Sequence, residues 1–176
     1  MQQKSLFSRW LYKFTGRLRC RIINGNQGEP YLERYHLFRL PGGGGAYIHR
    51  FIDSDPDRGL HDHPWNAAVS LILDGSYNEQ KLAVENNKKT VVERTLKSWH
   101  LNIIRGDDFH RIIKRDAQPV WTLFMHTGKI KDWGFLNVKQ DGSADYVPHD
   151  AVSTEASHEH WWKTAPRGRF VERSPH

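Results

Sequence analysis

Short apolar runs separated by turn residues dominate the middle of the chain. Between residues 31 and 138 they are Ala46–Ile52, Ala67–Leu73, Tyr77–Val84, Thr90–Leu96, Leu101–Ile104, Phe109–Ile113 and Val120–His126. The segments DSDPDRG, DG, ENNKK, RGDD and RDAQP break them. Runs this short and this regularly punctuated predict an all-β sandwich or barrel. Before them, Leu6, Phe7, Trp10, Leu11 and Phe14 recur at helical spacing, with Lys4, Ser8, Arg9 and Lys13 on the other faces. An amphipathic helix is expected there, packed across the domain's own sheet. A membrane-surface role is the alternative for a helix that mixes basic and aromatic residues. Pro41 and four glycines at 42–45 predict a turn, because the Lys-Ser/Thr ending of a phosphate loop is missing. Residues 139–176 are polar and hold three of the eight prolines. The pattern therefore divides into 1–30 (helix and linker), 31–138 (barrel) and 139–176 (irregular C-terminal arm).

Composition narrows the function classes. At 176 residues the chain is long enough for a core without staples, and its single cysteine, Cys20, cannot form an internal disulfide. There is no run of about 18 apolar residues to span a bilayer and no signal-peptide pattern, so the cytoplasm is the expected address. The net charge of +6 resides at the chain ends; residues 22–162 carry 16 basic against 19 acidic groups. A basic groove through the body is thus not indicated, and nucleic acid is not the expected partner. A small-molecule substrate is. Exposed barrel edges and the aromatic N-terminal segment are compatible with a homodimer.

The candidate chemistry lies in Arg58-Gly59-Leu60-His61-Asp62-His63-Pro64-Trp65. Histidines at i and i+2 on an extended strand face the same side, so His61 and His63 can converge on one point. His110, after the turn at Arg105–Phe109, is the third. Two close histidines and a distant one on a neighbouring strand suit a mononuclear metal site with positions left for water or substrate. Asp62 should face the opposite side. Arg50 and Arg58 flank the motif and could hold a carboxylate or phosphate. Tyr47 and Tyr77 are candidate proton donors, Trp65 a cavity wall, and His126 a residue of the barrel mouth. His49 ranks below the three as a ligand, and Arg111 suggests a structural ion pair. The cluster His158, His160, Trp161 and Trp162 reads as incidental to a polar tail.

At these residues the chain resembles the cupin superfamily. His61, His63 and Gly75 fit the first cupin motif, while Asp55 stands at its leading glycine and Ala68 at its glutamate. Arg105–His110 fits the second motif loosely. The chain is similar in particular to small single-domain cupins of bacteria and their phages. That similarity runs through Asp57–Trp65, Phe109-His110-Arg111, Trp121-Thr122-Leu123-Phe124 and Asp132-Trp133-Gly134-Phe135. The resemblance implies a double-stranded β-helix (a jelly-roll barrel) over 31–138, with an N-terminal helix and an irregular C-terminal arm.

Cupins that keep three histidines without the glutamate resemble thiol and diketone-cleaving dioxygenases. This implies Fe(II), with Zn, Ni or Mn as alternatives, and an Fe(II) dioxygenase acting on a small polar or anionic substrate. A metal-dependent isomerase or hydrolase is the enzymatic alternative. A non-catalytic module binding a sugar, a nucleotide or a protein partner is the other.

Overall fold

The computed structural model describes residues 5–149 and 160–174. Ser5 opens the helix α1 (Leu6–Thr15), its hydroxyl accepting from the amide of Ser8 and satisfying one donor of the first turn. Twelve strands follow: β1 (Arg19–Asn24), β2 (Pro30–Arg39), β3 (Gly45–Phe51), β4 (Leu60–His61), β5 (Ala67–Asp74), β6 (Ser76–Glu85), β7 (Lys88–Lys97), β8 (Leu101–Arg105), β9 (His110–Lys114), β10 (Val120–His126), β11 (Gly134–Val138) and β12 (Ala144–Pro148). They form two six-stranded antiparallel sheets, ordered β1-β2-β3-β10-β5-β8 and β12-β11-β4-β9-β6-β7. All seven predicted apolar runs are strands. The sheets also reach beyond 31–138, since β1 pairs with β2 and β12 with β11.

The two-residue alternation of a strand assigns each side chain to one of two layers. On β3, Tyr47, His49 and Phe51 face the barrel interior, and Ala46, Ile48 and Arg50 face outward. Phe51 joins Leu32, Ile72, Tyr77, Leu96, Ile112 and Val120 in an apolar plug that closes one end of the interior. Towards the other end, Tyr47, Ala68, Ile104 and Phe124 pack with Trp65 and Trp161.

Outside the first sheet, Leu11 of α1 packs with Cys20, Tyr35, Ile48 and Trp121. The indole N–H of Trp121 donates to Ser8 Oγ at 3.0 Å, which lets a polar helix residue be buried there. Each large apolar side chain buried this way contributes about 1.5–3 kcal/mol. The helix thus packs on its own sheet, while Leu6, Phe7 and Trp10 stay exposed and Phe7 stacks on Trp99.

Residues 160–174 return along this outer layer. Arg173 donates to Tyr35 Oη at 2.8 Å and to Thr15 Oγ1 and the Tyr12 carbonyl at 2.9 Å. The Ser174 amide donates to Glu33 at 2.9 Å. Trp161, from the cluster expected to be incidental, instead covers the barrel interior against Tyr47; His158 lies outside the described residues. Two glycines shape the turns that deliver the site. Gly59 (φ +92°) lets the chain enter β4 against β11, where a Cβ would meet the Leu136 carbonyl at 2.7 Å. Gly75 (φ +91°) closes the turn between β5 and β6.

Candidate metal centre

Three strand ends of the second sheet meet at one point of the interior. His61 lies opposite His110 across β4 and β9, and Phe135 of β11 lies opposite His61 on the other side. His63 follows two residues after His61, beyond the strand, where its amide donates to the Gly106 carbonyl. The ligand-type nitrogens of His61, His63 and His110 all lie within 4.8 Å of one another. His63 Nε2 and His110 Nε2 stand 2.8 Å apart. Two nitrogens bound to one ion at about 2.0–2.1 Å must approach to about this separation.

The protonation states favour coordination. Burial holds the imidazoles of His61 and His63 well below the usual histidine range, and the neighbouring histidines push the same way. Both are therefore neutral with a lone pair available near pH 7. His110, 3% exposed, donates from Nδ1 to Glu79 Oε1 at 2.7 Å. That bond places the proton on Nδ1 and turns Nε2 towards the other two rings, as the carboxylate behind a metal-bound histidine does. Glu79 is held in turn by Asn102 Nδ2 at 2.8 Å and Arg94 Nε at 2.7 Å. Although its burial opposes ionisation, the donors prevail and lower its pKa to about 2. A second carboxylate, Asp55, stands 4.0 Å from His61 Nδ1 and accepts from the amide of Ile112.

Aromatic rings wall the point. Trp65 stacks on His63 at 4.7 Å and on His126 at 4.3 Å, and Trp133 lies edge-on to His61 at 6.2 Å. Trp65 and His126 therefore flank the histidine cluster. Tyr47 belongs to the same aromatic layer, stacked on His126 at 5.5 Å, but its ring contacts are with His36, His49, His126 and Trp161 rather than with the three histidines. Ala68 faces the interior among Tyr47, Ile104 and Phe124, so an apolar cluster occupies the surroundings of the motif's glutamate position.

Other expected site residues are placed elsewhere. Arg50 is corrected: it is fully buried on the outer layer, paired with Glu33 at 3.0 Å and donating to the Ser174 carbonyl at 2.9 Å. Its place on β3, one residue from the interior-facing His49, aims it at α1 and Tyr12, away from the cavity. Tyr77 is likewise corrected to a core residue. It is 1% exposed in the apolar plug, and its hydroxyl is bound to Asn102 and Ser70. Arg58 donates to Asn26 in the β1–β2 turn and lies over Phe135. Asp62 faces away from the cluster, accepting from the Gly134 amide and Lys131, and Arg111 forms the expected ion pair, with Asp57.

Sequence reasoning missed Glu79, Asp55 and the interior residue Arg34. Period-two alternation from the buried Tyr77 would have put Glu79 inside the barrel, where an acid needs partners.

No protein-family model and no curated protein matches the sequence. Solved structures do match. A cupin-2 domain protein from Rhodospirillum rubrum, Rru_A2000, is 14% identical over 80% of this chain and 82% of its own, with a TM-score of 0.51. CapF, solved with the inhibitor 3-isopropenyl-tropolone, is 14% identical over 69% of this chain, with a TM-score of 0.51; the match spans only 34% of that protein. The cupin domain of Schizosaccharomyces pombe Cnp3 is 14% identical over 56% of this chain and 65% of its own, with a TM-score of 0.42. With two antiparallel sheets closed around an interior and three histidines converging there, the fold of this chain is the cupin fold.

Proposed function

We propose that this protein is a mononuclear metal-dependent enzyme, and specifically an Fe(II) dioxygenase acting on a small polar or anionic substrate. His61, His63 and His110 are its metal ligands, with Zn, Ni and Mn as the alternatives to iron. The observation that carries the reading is the convergence of three buried or half-buried imidazoles with a carboxylate fixing the tautomer of one. A divalent ion held there supplies Lewis acidity and, if it is iron, redox chemistry with O₂.

The chain's own residues do the rest. Glu79 keeps the proton of His110 on Nδ1, with Arg94 and Asn102 keeping Glu79 in place. Trp65 and Trp133 exclude bulk water from two sides of the cluster. Three neutral imidazoles contribute no charge of their own, so an anionic substrate would compensate the charge of the ion.

The test is metal analysis of protein purified without an affinity tag, followed by an O₂-consumption assay. One divalent ion per chain and metal-dependent O₂ uptake with a small polar substrate are expected. A bound ion without O₂ uptake would point to the isomerase or hydrolase. A chain that binds no divalent metal tighter than about 1 mM would be a binding module.

A further inference from the structure

Arg34 is a cation inside the barrel with no anion beside it. It lies opposite His49 on β3, which lies opposite Thr122 on β10, so the three form one row across the interior face of the first sheet. Its Nε donates to His49 Nε2 at 3.0 Å, and its guanidinium sits 5.6 Å from the centre of the Tyr47 ring. Four other arginines packed into the barrel walls have a carboxylate partner: Arg50 and Arg173 have Glu33, Arg94 has Glu79, and Arg111 has Asp57. Among the described residues Arg34 has none, and both its Nη groups lack a protein partner. Next in the row, the fully buried hydroxyl of Thr122 also has no hydrogen-bond partner among the described residues.

Leaving a cation and a hydroxyl unmatched in one interior row is costly unless a ligand completes them. His49 is suited to holding the fork. Burial keeps it neutral, so its Nε2 accepts from Arg34 and leaves the guanidinium edge with two Nη groups for a planar oxyanion. The row shares its cavity with the histidine cluster, since the charge of Arg34 is felt at His63 and at His126.

We propose that Arg34 is the anion-binding residue of the cavity, taking the carboxylate of a small acid through its two Nη groups with Thr122 Oγ1 as an additional donor. Resting on the metal-site reading above, this makes the substrate a small carboxylic acid whose other end carries a hydroxyl, thiol or amine directed to the three histidines. His49 is then a positioning residue.

The test is calorimetric titration of the full chain, zinc-loaded and metal-free, with glycolate, 3-hydroxypropionate and 4-hydroxybutyrate, each beside its neutral amide. Wild type should bind at least one acid better than its amide. Arg34→Gln should weaken that acid by about 10- to 100-fold, leave the amide unchanged and retain one zinc per chain. Arg34→Lys should fall between, because an ammonium cannot fork; it decides the matter if Arg34→Gln fails to fold. Equal acid binding by wild type and Arg34→Gln overturns the proposal. So does a wild type that takes none of the acids below about 10 mM in either form. Arg34-dependent preference for the acid in a chain that takes no zinc would uphold the anion site and remove the metal reading. Bound zinc without that preference would do the reverse.

Discussion

His110 donates from Nδ1 to Glu79 Oε1 across 2.7 Å, so a residue of β6 decides which nitrogen of a β9 histidine faces the cluster. Carboxylates behind metal-bound histidines are typically worth 10- to 100-fold in affinity. Glu79→Ala should therefore weaken zinc by about that factor, measured by competition with a chromophoric chelator. Glu79→Gln should lose less, because an amide oxygen still accepts from Nδ1–H. Unchanged affinity in Glu79→Ala would show that something else orients His110.

His61→Ala, His63→Ala and His110→Ala should each lower bound metal per chain by orders of magnitude, while exposed His100→Ala leaves it at the wild-type value. Their stability costs should differ. The half-buried His61 and His63 should cost about 1 kcal/mol each in the metal-free protein. His110→Ala strands a buried carboxylate oxygen and should cost about 1–3 kcal/mol. Urea unfolding beside metal analysis separates the two effects. Full occupancy in His110→Ala would remove it from the ligand set.

The pair formed by Arg50 and Glu33 clamps the C-terminal residues to the outer layer. Removing one partner of a buried pair leaves the other uncompensated, a loss of about 3–5 kcal/mol. Arg50→Met and Glu33→Gln should each lower the urea midpoint accordingly and leave zinc affinity within about twofold of wild type. A large loss of metal with little loss of stability would restore Arg50 to the site.

Burial lowers the pKa of His126 from 6.5 to about 4, and burial also depresses His49, His61 and His63. A histidine with a depressed folded-state pKa is protonated first in the unfolded chain. Stability should therefore be fully present above pH 6.5 and fall as the pH drops towards 4. Each such group contributes at most about 1.4 kcal/mol per pH unit in that window. In chelator-treated protein, His126→Gln should flatten the slope by up to this amount. A slope identical to wild type would mean that His126 titrates as an exposed imidazole.

Alternation along the strands and the spacing of turn residues were enough to locate seven strands, because a half-buried strand writes its two faces directly into the sequence. The His61-Asp62-His63 spacing likewise placed two rings on one side and Asp62 on the other, a purely local consequence of period two. Cross-strand partners are not written this way. Register alone set His110 opposite His61, and put Arg34 opposite His49. Arg50 shows the limit most clearly. Its neighbourhood to the motif suggested a substrate contact, but one residue of phase on β3 turned it out of the barrel to Glu33. Glu79, 16 residues past His63 in the chain, became the partner of His110 because β6 and β9 lie side by side. The sequence by itself determined which residues could share a face. Only the closing of two sheets around one interior, a long-range packing event, decided which of those faces met.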